Sequence, residues 1–194
     1  METFCIWRTE ITVHVYGDSF ADDTFNTQGH DWAWTVQLSQ RYNTVNHAKA
    51  GTGCDYSVEA LLNTDIKPDD HVVFVCSYAN RNHYLDQSTL EKCTPLFTDQ
   101  WIQREYIKTC AVVKSICPHA IVFIVDQNSV KDHIQDTYNY KIYPQPLLDL
   151  YEQDNQTYRE NLWQDQGNRD RRPNHLQQHN HEHILKTIED FVCK

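Results

Sequence analysis

No stretch of this 194-residue chain approaches the ~20 consecutive apolar residues of a membrane span. The first ten residues carry no long apolar run either, so an unexported, cytoplasmic protein is expected. Basic clusters are missing apart from ArgAspArgArg at 169–172, and the formal net charge is −10, which argues against nucleic acid as a partner. The seven cysteines are odd in number and scattered, none in a CxxC or other close pair with zinc-site spacing, so reduced thiols are expected and no metal. There is no GlyXaaSerXaaGly elbow, which excludes the turn that α/β-hydrolases need. The first loop has no Gly- or Ser/Thr-rich phosphate cradle, which weakens a flavodoxin-like nucleotide or flavin binder. Internal repeats are absent, and the length suits one domain over 1–194.

What the chain does contain is an alternation of strand and helix patterns. Residues 11–16 are β-branched and aromatic and end at a glycine, which predicts a strand. Residues 31–42 predict a helix, although their apolar positions alternate as in a strand. A short strand over 44–50 and a helix over 57–62 follow. The unbroken apolar runs at 71–77 and 120–126 suit parallel strands covered on both faces, and a long helix over 98–116 lies between them. A helix over 177–192 closes the chain, while residues 127–170, rich in Asn, Gln, Asp and Tyr, take no assignment. The alternation predicts a doubly wound α/β three-layer sandwich with a mostly parallel sheet.

In such a sheet ligands bind at the carboxyl ends of the strands. GlyAspSerPhe at 17–20 ends the first strand there, so Gly17 permits a sharp turn and Ser19 is a candidate nucleophile. A serine hydroxyl needs a base to take its proton, and an attacked carbonyl needs donors for its oxyanion. Gly51, in the loop after the second strand, can present a backbone N–H, and the Asn80 amide after the third can donate to the same oxygen, with Gly53 and Asn82 as alternatives. His175 lies at a loop-to-helix junction near the end.

Over most of its length the sequence resembles the SGNH hydrolases, or GDSL esterase/lipase superfamily, in four blocks in the family order. GlyAspSerPhe at 17–20 matches the nucleophile block, AsnHisAlaLysAlaGly at 46–51 the glycine block, TyrAlaAsnArg at 78–81 the Gly-x-Asn-Asp block, and HisLeuGlnGlnHisAsnHis at 175–181 the His-Leu-Ser-x-x-Gly-His ending. The resemblance implies a flavodoxin-like SGNH fold and an esterase with no cofactor. It implies Ser19 as nucleophile, His175 as general base, and the Ser19 N–H, Gly51 N–H and Asn80 as the oxyanion hole. The substrate it implies is a small-molecule or glycan ester carrying an acyl or acetyl group.

Three positions depart from the family. Tyr78 and Arg81 replace its glycine and aspartate, and Arg172 stands where the family has the aspartate that orients the histidine. Arginine cannot accept the imidazole N–H. Asp170, five residues before His175, is the expected orienter, with a Ser-His dyad as the alternative. His179, His181 and His183 are read as exposed helix residues, because two imidazoles at i and i+4 without an intervening Glu make a weak metal site. Trp32 and Trp34 are read as core packing. The rival to the enzyme is a non-catalytic SGNH-like module that recognises a glycan, lipid or protein.

Overall fold

The computed structural model describes residues 11–26, 31–77, 79, 81, 86–93, 96, 98–125, 141–142, 147, 176 and 178–193. Five strands, β1 (Thr12–Tyr16), β2 (Asn43–Asn46), β3 (His71–Cys76), β4 (Ile121–Ile124) and β5 (Lys141–Ile142), form one sheet in the order β2-β1-β3-β4-β5. Every pairing is parallel, as Val13↔His71 and Val73↔Ile121 illustrate. Among the described residues the helices are α1 (Asp23–Asn26), α2 (Trp34–Arg41), α3 (Cys54–Leu62), α4 (Gln87–Cys93), α5 (Asp99–Ile116) and α6 (Gln178–Val192).

The period-2 alternation of the strands divides the core into two layers. Val13, Val15, Val73, Val75, Ile121 and Phe123 turn to one face, where Trp34 and Leu38 of α2 and Ile184, Leu185 and Ile188 of α6 cover them. Tyr16, Val72, Phe74, Cys76, Val122 and Ile124 turn to the other, beneath Leu61 of α3 and Tyr106, Cys110 and Val113 of α5. This is the doubly wound three-layer arrangement expected from the runs at 71–77 and 120–126, which are apolar throughout because both faces are covered.

Four elements differ from the expectation, the first being α3, which begins at Cys54, three residues before the expected start. The second strand ends at Asn46 rather than near residue 50, where the Asn46 side chain accepts the Ala48 N–H at 2.9 Å and closes an Asx turn that ends the regular strand. Helix α4 was not anticipated, although Asp86 caps it by accepting from the Thr89 N–H at 2.9 Å and the Thr89 hydroxyl at 2.8 Å. Strand β5 was missed because two residues carry no periodicity. Residues 31–42 do fold as a helix over Trp34–Arg41, with the alternating apolar pattern giving way to a face that buries Trp34, Thr35 and Leu38.

The topology also fixes where a ligand would sit. From β1 the chain winds outward to β2, then crosses back to β3 on the other side, so the order reverses between β1 and β3. The crevice at the carboxyl ends of these two strands is the expected binding position in a sheet of this order.

Candidate functional site

Gly17 follows β1 at that crevice. Its φ is +154°, and a Cβ there would lie 2.7 Å from the Val75 Cβ and 3.0 Å from the Ala21 Cβ, so no side chain fits against β3. The next residues close a tight turn: the Asp18 carbonyl accepts from the Ala21 N–H at 2.9 Å and the Asp22 N–H at 2.8 Å, and the Asp18 carboxylate accepts from the Phe20 N–H at 3.1 Å. Ser19 lies inside this turn and is 8 % exposed.

The loop after β2 is fastened to the turn by backbone and side chain together. The ladder with β1 continues past the strand, with the His47 N–H donating to Val15 O at 2.8 Å and the Lys49 N–H to Gly17 O at 3.0 Å. Asn46 Nδ2 donates to Ala21 O at 2.8 Å, and Asp22 Oδ2 accepts from the Ala50 N–H at 2.7 Å. That last bond fixes the residue immediately before Gly51. Gly51 has φ +80° and open space where a Cβ would be, whereas a Cβ on Gly53 would fall 2.1 Å from Arg81 O. Of the two glycines, Gly51 is the exposed one, and Gly53 is the point at which the second and third loops pack and α3 begins.

The loop after β3 is tied to the same turn through a buried acid. Asp18 Oδ2 accepts from Ser77 Oγ at 2.7 Å and from Arg81 Nη1 at 3.2 Å, and Ser77 Oγ also lies 3.1 Å from Thr52 O. Asp18 is fully buried, and that burial pushes its carboxyl above the usual carboxylate range, opposed by Ser77, the Phe20 N–H and Arg81. Sequence reading did not find this clasp, because its partners stand 59 and 63 residues apart and nothing local links them.

The carboxyl-terminal block approaches from α6. Leu176 is buried in the same core layer as Phe20 and Ala21, which adjoin Ser19. His181 is 3 % exposed rather than solvated, a correction to the reading of that histidine cluster. Helical spacing places it with Ile184, Leu185 and Ile188 on the buried face, while His179 and His183 are exposed. Its Nδ1 accepts from the Trp34 N–H at 3.2 Å, and the Trp34 indole donates to Phe20 O at 2.9 Å. An acceptor role requires Nδ1 to be unprotonated. Trp34 is in the core as expected, and Trp32 lies edge-on to the His181 ring with centroids 5.0 Å apart.

Thus the structure brings together the blocks carrying Ser19 and Gly51. Asn80, Asn82, Asp170, Arg172 and His175 lie outside the described residues. Six cysteines, 54, 76, 93, 110, 117 and 193, are free thiols. Among the described residues, no group of three or more His, Cys, Asp or Glu is arranged to hold a metal ion, and no helix is long and apolar enough to cross a membrane.

No family model and no curated protein matches the sequence. Solved structures do match in three dimensions. TesA superposes with a TM-score of 0.57 at 13 % identity over 93 % of this chain and 97 % of its own. A Parabacteroides merdae protein described as GDSL-like gives 0.55 at 10 % identity over 98 % and 99 %. The acetylxylan esterase Axe2 of Geobacillus stearothermophilus, as a His→Ala catalytic mutant, gives 0.58 at 11 % identity over 93 % of each chain. A Ser→Ala form of Axe2, also described as a catalytic mutant, gives 0.52 at 12 % identity. At such identities the likeness is one of fold: the chain has the flavodoxin-like fold of the SGNH, or GDSL-type, hydrolases.

Proposed function

We propose that this chain is a serine ester hydrolase of the SGNH type, acting through an acyl-enzyme on Ser19. The observation that carries the reading is the nucleophile turn itself. The turn that carries Ser19, at the β1 end of the β1/β3 crevice, is bound on one side to the loop of Gly51, through Asp22 and Ala50, and on the other to the loop of Arg81, through Asp18.

In this mechanism Ser19 Oγ attacks the ester carbonyl while His175 takes its proton. The negative charge that develops on the carbonyl oxygen is received by the N–H groups of Ser19 and Gly51 and by the Asn80 amide. His175 then passes its proton to the departing alcohol, and water repeats the sequence in reverse to free the acid. Asp170 orients His175. Gly51 is assigned the donor role over Gly53 because its surroundings are open, whereas Gly53 is pressed against the Arg81 backbone. The serine and histidine replacements that define catalytic mutants of Axe2 support the Ser19 and His175 assignments, and the acetylxylan ester named for that protein supports a small or glycan-borne acyl or acetyl ester here. The free thiols fit a reducing, cytosol-like compartment.

One observation favours a second reading, a non-catalytic binding module: Arg172 stands where the family has its orienting carboxylate. A panel of aryl, thio and sugar-acetyl esters assayed with wild type and Ser19→Ala separates the two. Turnover that Ser19→Ala abolishes while the fold is kept establishes the esterase, and no turnover of any ester by wild type favours the module.

A further inference from the structure

The most deeply buried charge in the three-loop cluster has no part in the chemistry just proposed. Asp18 has no solvent exposure, and an isolated carboxylate in that position would be strongly disfavoured. Its partners are an N–H of its own turn, Phe20, a hydroxyl from the end of β3, Ser77, and the guanidinium of Arg81, whose side chain is 31 % exposed. Arg81 is also held from behind, since its carbonyl lies so close to Gly53 that no Cβ could stand there. The third loop is therefore gripped at one residue from two sides, by the second loop through backbone and by the first through charge.

From this geometry we infer that Arg81 is a positioning residue: its ion pair with Asp18 fastens the loop after β3 to the turn that carries Ser19. The inference rests on the esterase reading for its kinetic consequence alone. Hydrogen-bond accounting gives the mechanism. Ser77 Oγ has one hydrogen and two acceptors in reach, Asp18 Oδ2 at 2.7 Å and Thr52 O at 3.1 Å. Paired with the Arg81 guanidinium at 3.2 Å, the carboxylate form of Asp18 takes the Ser77 hydrogen on Oδ2, and its Oδ1 holds the Phe20 N–H by a charge-assisted bond, about twice as strong as a neutral one. Removing the guanidinium takes away one stabiliser of that carboxylate and shifts the balance towards the neutral acid, the direction in which burial already pushes it. The acid hydrogen then goes to Ser77 Oγ, Ser77 turns its own hydrogen to Thr52 O, and the grip on Phe20, the neighbour of Ser19, weakens. Arg81 selects between these two states. Other ionisable groups on the described part of these loops include Asp22, bonded to Ala50, His47, stacked on Tyr16, Asp55 in the first turn of α3, and exposed Lys49; His181 reaches the turn through Trp34.

The test uses the full chain with ¹³C-carboxyl aspartate and ¹⁵N labels, as wild type, Arg81→Lys, Arg81→Gln, Asp18→Asn and the double variant Asp18→Asn/Arg81→Gln. Asp18 is assigned by its absence from Asp18→Asn. Arg81→Gln should raise the Asp18 titration midpoint by about one pH unit or more and shift the Phe20 amide signal, with Arg81→Lys in between. It should also lower kcat about tenfold with KM nearly unchanged, and the double variant should be no worse than Asp18→Asn alone. An Asp18 titration and a Phe20 amide that ignore Arg81→Gln would overturn the inference, as would shifted signals with kcat intact. If wild type turns over no ester yet the signals move, the esterase reading falls and the Arg81–Asp18 fastening stands. If wild type is active and the signals stay still, the reverse holds.

Discussion

Alanine placed at each of the three loop glycines should separate packing from function. At Gly53 an added Cβ would fall 2.1 Å from Arg81 O, a backbone atom with little room to yield, and at Gly17 it would fall 2.7 Å from the Val75 Cβ in a backbone conformation, φ +154°, that side chains resist. Overpacking of this kind costs about 1–3 kcal/mol, and the backbone contact at Gly53 puts it at the upper end. At Gly51 nothing lies within 4 Å, so only the positive φ of +80° matters. That costs about 1–2 kcal/mol, offset by the roughly 0.4–1 kcal/mol that alanine gains by restricting the unfolded chain. With an m-value of about 2 kcal/mol per molar urea, Gly53→Ala and Gly17→Ala should unfold about 1 M earlier than wild type, and Gly51→Ala within about 0.5 M of it. Tryptophan fluorescence in urea measures all three. Because Gly51→Ala keeps its N–H but relaxes the backbone that aims it, kcat should fall there with little loss of stability. A Gly51→Ala variant as unstable as Gly53→Ala, or a Gly53→Ala variant with a wild-type midpoint, would refute the packing argument.

Three further outcomes are expected. Burial, and after it the nearness of His14, holds His47 below the ordinary histidine value of about 6.5, so the folded state binds fewer protons than the unfolded one in that window. Its contribution to stability is present above about pH 6.5 and is lost as pH falls towards the folded value; urea midpoints between pH 5 and 8 should show a decline that His47→Gln makes shallower. At His181, Asn can still accept the Trp34 N–H in principle but Ala cannot, so His181→Ala should cost about 1–3 kcal/mol in urea unfolding, and a loss under about 0.5 kcal/mol would show that the bond at 3.2 Å contributes nothing. Asp170→Asn should lower kcat/KM by up to about 10⁴-fold if Asp170 orients His175, and a rate equal to wild type would leave a Ser-His dyad, in which case Arg172→Asp should raise activity.

The parts of the fold that could be read in the sequence are those whose physics is local. Val72 to Cys76 and Ile121 to Ile124 are buried on both faces, so each shows an unbroken apolar run, and α5 shows its face over four turns with Thr98 as a cap that accepts the Trp101 N–H. GlyAspSerPhe was legible because Gly17 must pass between Val75 and Ala21, a demand met only by glycine. What was not legible depends on contacts distant in sequence. Arg81 looks like a departure from a motif until Asp18 is seen beside it, and His181 looks like one of several polar helix residues until α6 lies against Trp34. A pair of strand residues such as Lys141 and Ile142 is specified by β4, to which it pairs, and by no pattern of its own.

The central claim is that Ser19 is a nucleophile, and an organophosphonate probe tests it most directly. Wild type and Ser19→Ala are incubated with the probe, digested and mapped by mass spectrometry. A single adduct on the peptide carrying Ser19, absent from Ser19→Ala and blocked by prior unfolding, is the predicted result. An adduct on another residue, or equal labelling of wild type and Ser19→Ala, would contradict it.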